Sequence, residues 1–160
     1  MADLTPLDEK LGEVLGLAQA AQDATEKVAK LADDDQIVSR LDQMRDEAGE
    51  TERRTLALVE TLEGKKTAIQ EKGRETKAEA AEMMRIYLGG DADDLDGFEF
   101  LTMAEAGELG HWEIVRQMSE KVGDSAALQL AEWAIPIQKR HRDVVRASSL
   151  ELAAEEAEAV

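Results

Sequence analysis

Two segments of the sequence place histidine at a spacing that could bind a metal ion. Glu108-Leu109-Gly110-His111 is a Glu-x-x-His motif, and Gln138-Lys139-Arg140-His141 repeats the spacing with glutamine in the first position. In a helix, residues three apart lie on one face, so each segment presents its two polar side chains together. The chain has only these two histidines, which makes the two segments the first candidates for a functional site.

Both segments are predicted to turn these polar side chains toward the interior of a helical bundle. A buried carboxylate is costly unless it is paired, hydrogen-bonded or bound to a metal ion. Carboxylate and imidazole donors suit iron, manganese or zinc, and no other cofactor is expected. The facing hairpin offers two further carboxylates, and a glutamine amide would support the ligands. The candidate metal-site residues are Glu108, His111, His141, Gln138, Glu47 and Glu50.

Two other interpretations of these residues stay open. They could form a buried hydrogen-bonded network that fixes the register of the helices and holds no metal. Alternatively, the inner face could be displaced by one residue, which would move Glu108 toward solvent. A symmetric dinuclear carboxylate site is not expected, because Ala18, Gln19 and Thr51 stand where a first-helix carboxylate and a second-helix histidine would be needed.

The residues that would position such a site follow a helical pattern. Apolar residues recur at steps of three and four, which is the period of an amphipathic helix. Helices are predicted over residues 6–31, 36–63, 76–88, 98–122 and 125–150, with a frayed acidic tail over 151–160. The segment 65–90 is patterned more weakly, so it is predicted to be a long crossover that contains one short helix. Two antiparallel hairpins joined in this way predict an all-α, ferritin-like four-helix bundle in a single domain.

The composition narrows the classes of partner. The chain has 160 residues, with 36 acidic and 19 basic side chains and a net charge of −17. A negative surface argues against nucleic acid and anionic membranes as partners. There are no cysteines, so disulfides and thiolate metal sites are excluded. No apolar stretch approaches the ~20 residues that span a bilayer, and the N-terminus lacks a secretory pattern, so a cytoplasmic location is expected.

The second hairpin resembles a known family. The stretch Gly110-His111-Trp112-Glu113-Ile114, then Ser119-Glu120-Lys121-Val122-Gly123-Asp124 and Ala126-Ala127-Leu128, is similar to the second hairpin of ferritin-like stress proteins of the YciF type. The resemblance implies a ferritin-like bundle that is dimeric, associated with stress responses and suspected of binding metal. His111 and Glu113 are the residues that match the third helix of that family.

Two functions are therefore predicted as alternatives. The first is a stress-associated, ferritin-like bundle that binds a metal ion through Glu and His residues of the second hairpin, without established catalysis. The second is a non-catalytic structural or interaction bundle that forms a homodimer and contains a buried polar network without metal. The sequence predicts neither a reaction nor the identity of a protein partner.

Overall fold

The computed structural model describes residues 3–159, and helices are the only regular secondary structure in that range. The prediction of an all-α fold is confirmed. Met1, Ala2 and Val160 lie outside the described residues, and with them the start of the N-terminus and the last residue of the predicted tail. The five helices are α1 (Pro6–Ala29), α2 (Asp35–Glu60), α3 (Lys66–Tyr87), α4 (Asp94–Val122) and α5 (Ser125–Glu158).

Short polar residues fix where four of the helices begin. The Thr5 hydroxyl accepts a hydrogen bond from the Asp8 backbone at 3.1 Å, and the Asp8 carboxylate accepts one from the Thr5 backbone at 2.8 Å. This reciprocal pair is a capping box, and Asp93 forms the same arrangement with Asp96 before α4. The side chains of Asp34 and Asp124 cap α2 and α5. These caps satisfy backbone N–H groups that have no partner inside the helix.

The third helix is much longer than predicted. It begins at Lys66 instead of residue 76, and its first half packs along α1. Gly12 makes this close approach possible, because a Cβ atom there would lie 2.7 Å from the Lys72 Cβ and 2.8 Å from the Ile69 carbonyl oxygen. Ile69 is fully buried at this contact. Packing against α1, which the local sequence pattern does not encode, stabilises the additional turns.

The fifth helix also extends past its predicted end at residue 150 and continues to Glu158. Leu152 is buried in the core, and the Arg40 guanidinium of α2 lies 3.1 Å from the Glu151 carboxylate. These contacts hold the part of the tail that was predicted to fray. Pro136 lies inside α5 on its exposed side, and the helix continues through it.

The helices pack as two antiparallel hairpins with α3 alongside. Within the first hairpin, Gln22 of α1 donates to Glu52 of α2 at 2.8 Å. Within the second, the hydroxyls of Thr102 and Ser149 lie 3.2 Å apart between α4 and α5. Contacts of α1 with α4 and of α2 with α5 join the hairpins, whereas α3 runs parallel to α1 and barely touches α4. A gap therefore remains between α3 and α4.

The core consists of two apolar clusters at the two ends of the bundle. The first includes Leu11, Leu109, Trp112 and Ile135, and the second includes Val28, Leu41, Phe98, Leu101 and Val145. Along α4 and α5, four buried polar residues separate the clusters. We call them the polar layer, and they are Glu105, Glu108, Gln138 and His141.

Candidate functional site

His141 lies at the centre of the polar layer and bridges two helices. Its side chain projects from α5 and is only 3% exposed. Nε2 lies 3.1 Å from the Glu47 Oε1 atom of α2, and Nδ1 lies 3.8 Å from the Glu105 Oε2 atom of α4. Arg140 also pairs with Glu47, whose carboxylate is partly exposed at the edge of the layer. The imidazole is therefore held between carboxyl groups of two different helices.

Glu105 and Glu108 form a pair of buried acids on α4. They are 2% and 5% exposed, and their three-residue spacing places them on one face. Burial raises the pKa of Glu105 to about 7. Burial also raises the pKa of Glu108 well above its ordinary value, and the Glu105 charge adds to this rise. Burial therefore shifts both carboxyl groups toward their protonated, neutral forms.

Burial shifts the pKa of the His141 imidazole in the opposite direction, downward. Burial, together with the positive charge of Arg140, lowers the pKa of His141 to about 4. Charged imidazole is disfavoured in this setting because it would lose hydration inside the bundle. His141 is therefore neutral near pH 7, and one ring nitrogen carries the proton.

The polar layer does not satisfy all of its own hydrogen-bonding groups. Among the described residues, the buried side-chain atoms without a partner are Glu105 Oε2, Gln138 Nε2 and Trp112 Nε1. The first two belong to the polar layer. Gln138 lies beside Glu108 and partly offsets the rise in its pKa, but its Nε2 atom completes no hydrogen bond of normal geometry. Buried polar groups without partners are costly, so an additional bound group would stabilise this layer.

An apolar cavity of about 270 Å³ lies next to the polar layer, between α1, α3 and α4. Glu105 and Glu108 are among the residues that line it. The cavity exists because α1 and α4 present small side chains there and because α3 stays apart from α4. Met83 and Met103 are about half exposed at its mouth. The cavity is also lined by Leu17, Ala20, Ala24, Met84, Phe100 and Ala104.

The structure brings together four of the six candidate metal-site residues. Glu108, Gln138 and His141 belong to the polar layer, and Glu47 contacts His141 at its edge. The alternative in which Glu108 turns toward solvent is wrong, because this residue is buried. Glu50 lies outside the layer, where its carboxylate pairs with Arg53 and accepts a hydrogen bond from Arg54 at 2.8 Å.

His111 does not join His141, and its predicted inner position needs correction. Its Nδ1 atom lies 2.8 Å from the Gly107 carbonyl oxygen, and its Nε2 atom lies 3.4 Å from the Glu13 carboxylate of α1. The buried face of α4 passes through Glu105 and Trp112, and at Trp112 it is displaced by one residue from His111, the residue predicted to face the interior. This displacement places His111 at the rim of the cavity.

The six predicted residues therefore do not form one metal site. Within residues 3–159, no three His, Asp or Glu side chains are arranged to hold one ion. His141 directs different ring nitrogens at Glu47 and Glu105, so it separates these carboxylates instead of sharing an ion with both. Binding of iron, manganese or zinc by these residues stays a prediction.

Sequence reasoning missed two features of this site. Glu105 stands three residues before Glu108, and that spacing was a usable signal for a second inward carboxylate. The closely spaced alanines of α1, including Ala20 and Ala24, are a weaker indication of the cavity. Alanine is equally common in tightly packed helices, so this pattern does not by itself predict empty space.

The fold and the site define a class: an all-α bundle with an internal layer of acids and imidazole beside an apolar cavity. In comparisons with known proteins, no family model matches the chain, no curated protein is similar to it, and no solved structure matches its fold. Among residues 3–159, no helix combines the length and apolarity needed to cross a membrane.

Proposed function

We propose that this chain is a non-catalytic binding protein, whose apolar cavity takes a small, mainly apolar molecule. One observation carries the proposal: a cavity of about 270 Å³ is lined by apolar side chains and borders a buried carboxyl group, Glu105, that lacks a hydrogen-bond partner. Apolar pockets with a few convergent polar groups are typical ligand sites. The apolar lining would supply affinity, and the polar layer would orient the ligand.

Binding is favoured over catalysis by the contacts of the imidazole. Both ring nitrogens of His141 face carboxyl groups of the protein, and the ring is almost completely buried. A general acid or base must reach the proton that it transfers. The acids and imidazole of the polar layer are therefore better suited to holding a ligand than to exchanging protons with a substrate in solvent.

Titration with n-octanol, followed by amide NMR spectra, tests the proposal. We expect saturable shifts concentrated on cavity residues such as Ala20, Ala24 and Ala104. The substitution Ala104→Leu fills part of the cavity and should weaken binding by about tenfold. Ala106→Leu is the matched control, because Ala106 is exposed on the same helix. Absence of saturable shifts, or equal binding by the two variants, would contradict the proposal.

We also propose the ferritin-like arrangement for the bundle. The support is the order of its helices: two antiparallel hairpins, α1–α2 and α4–α5, are connected through α3, and each helix of one hairpin contacts one helix of the other. This connectivity is the one expected for ferritin-like folds with a single long crossover. The association with stress responses and the cytoplasmic location stay predictions.

Metal binding is the second candidate function. The observation that favours it is the Glu105 Oε2 atom, which has no hydrogen-bond partner and lies 3.8 Å from His141 Nδ1. Glu105 and His141 supply an oxygen and a nitrogen donor of the kind that iron, manganese and zinc accept. Elemental mass spectrometry of untagged protein tests this candidate. About one metal ion per chain, lost in Glu105→Gln but kept in His111→Ala, would support it.

A further inference from the structure

The cavity combines an apolar lining with an unusual distribution of charge. Its two most buried polar side chains, Glu105 and Glu108, are both acids. Lys77 also lines the cavity, but its Nζ atom lies 3.8 Å from the Asp23 carboxylate at the surface. Arg140, the cation next to His141, pairs with Glu47. The buried acids therefore lie beside space that a positively charged ligand group could occupy.

We infer that the cavity binds an aliphatic amine, with its ammonium group donating hydrogen bonds to Glu105 and Glu108 and its chain along the apolar lining. This inference rests on the proposed function and names the class of ligand. The chain would extend past Leu17, Ala24, Met84 and Phe100 toward the mouth of the cavity.

The chemistry of the ammonium group complements the acids. An ammonium group offers three hydrogen-bond donors and no acceptor, while an ionised carboxylate only accepts. The Glu105 carboxyl group, which lines the cavity and whose Oε2 atom is buried without a partner, would receive one of these donors. Hydrogen bonds between ionised groups are about twice as strong as those between neutral groups. An amine would therefore satisfy the group that the protein leaves unpaired.

The size and lining of the cavity favour an organic cation over a hydrated ion. A cavity of ~150 Å³ can hold benzene. By that measure, 270 Å³ accommodates a molecule of about ten non-hydrogen atoms, such as n-octylamine. Each methylene group transferred from water to the apolar lining should improve affinity by about fourfold. Above about pH 7, where Glu105 ionises, a carboxylate ligand would instead meet like charge and be rejected.

Calorimetric titrations with three ligands of equal chain length test the inference. At about pH 8 n-octylamine is positively charged, n-octanol is neutral and octanoate is negatively charged. We expect n-octylamine to bind at least about tenfold more tightly than n-octanol, and octanoate to bind more weakly than either. Shortening the amine by two methylene groups should weaken binding by about fifteenfold.

Conservative variants assign the effect to the acids. Glu105→Gln and Glu108→Gln should each weaken n-octylamine binding by about tenfold and n-octanol binding by much less, because glutamine still accepts a hydrogen bond but carries no charge. Glu99→Gln is the matched control, because Glu99 is an exposed acid on the same helix. Variants that retain the wild-type melting temperature in the absence of ligand are folded well enough for this comparison.

The possible outcomes separate the inference from the proposed function. Equal affinity for the amine and the alcohol would overturn the inference and leave an apolar binding cavity. Failure of both ligands to bind would contradict the proposed function itself. If ZnCl2 or MnCl2 bound with loss of binding in Glu105→Gln, while n-octylamine did not bind, the buried acids would be a metal site and the inference would be wrong.

Discussion

At the scale of single residues, the polar layer makes opposite contributions to stability as the pH changes. Glu105 and Glu108 keep protons in the folded state at pH values where they lose them in the unfolded chain. His141 does the reverse, since it stays neutral in the folded state at pH values where the unfolded chain protonates it. The folded bundle is thus penalised above the ordinary pKa of glutamate and below the ordinary pKa of histidine.

The first prediction concerns the pH dependence of the free energy of unfolding. As the pH rises from about 4.5 to 6.5, the two acids lower the free energy of unfolding by more than His141 raises it. Above about pH 6.5 only the acids contribute, so the free energy of unfolding should fall most steeply there, until the two acids ionise. Urea unfolding across this range measures the slope.

Glu105→Gln and Glu108→Gln provide the comparison for this pH dependence. Glutamine cannot ionise, so the free energy of unfolding of each variant should decrease less with rising pH than that of wild type. Each variant therefore becomes more stable relative to wild type as the pH rises. The Glu99→Gln control should keep the wild-type slope, because Glu99 is exposed. Parallel curves for wild type and both buried-site variants would contradict this account of the layer.

The second prediction contrasts the two histidines. His141→Ala removes the group between Glu47 and Glu105 and leaves space in the core, so it should lower the free energy of unfolding by about 2 kcal/mol. His111→Ala, at the partly exposed rim of the cavity, should change it by less than about 0.5 kcal/mol. Urea unfolding at one pH distinguishes them. Equal losses would mean that His141 is not the bridging residue of the layer.

The residues of the site show how far sequence spacing can predict such a layer. The spacing correctly predicts that Glu108, Gln138 and His141 face the interior. It fails for His111, because the buried stripe of α4 passes through Glu105 and Trp112 and leaves His111 at its border. The direction of a side chain at the border of a helical stripe depends on which neighbouring helix lies there, and the sequence of α4 does not specify that neighbour.

At the scale of helices, α3 shows the influence of tertiary packing most clearly. Four helices, α1, α2, α4 and α5, begin after N-cap residues that can be recognised in the sequence, such as Thr5 and Asp93. The N-terminus of α3 has no side-chain cap, and only Ile69 and Gly73 within the helix are buried. Its first turns depend on glycine contacts with α1, so the local pattern underpredicts its length.

The third prediction tests the contact between α1 and α3. A Cβ atom at Gly16 would lie 2.8 Å from the Thr76 Cβ and would clash with the Gly73 carbonyl group. Although alanine favours helix by about 1 kcal/mol over glycine, Gly16→Ala should lower the free energy of unfolding by about 1–2 kcal/mol because the helices must move apart.

Gly110→Ala is the control for this substitution. Gly110 is also inside a helix, but no atom lies within 4 Å of the position that its Cβ would occupy. This substitution should raise the free energy of unfolding by about 0.5–1 kcal/mol. If both substitutions stabilised the protein equally, α3 would not approach α1 as closely as described.

At the scale of the whole molecule, the C-terminal half of α3 provides support for the expected homodimer. Met83, Ile86 and Tyr87 are more than half exposed there, and Ile86 is 65% exposed. Exposed apolar side chains that lie close together are typical of interaction surfaces. The net charge of −17 opposes association of two copies, so a dimer would need this apolar contact and sufficient salt.

The fourth prediction is that the wild-type chain forms a homodimer through this face. Light scattering after size-exclusion chromatography should give twice the chain mass for wild type and the monomer mass for Ile86→Glu. Val122→Glu is the control, because Val122 is a similarly exposed apolar residue on α4. A wild-type monomer, or a dimer that Ile86→Glu leaves intact, would contradict this prediction.

Whether the cavity between α1, α3 and α4 is a binding site is decided by the n-octanol titration followed by amide NMR. We expect saturable shifts at cavity residues, with binding about tenfold weaker in Ala104→Leu and unchanged in Ala106→Leu. Shifts that do not saturate, or that are the same in both variants, would show that the cavity is a packing defect of the bundle and not a binding site.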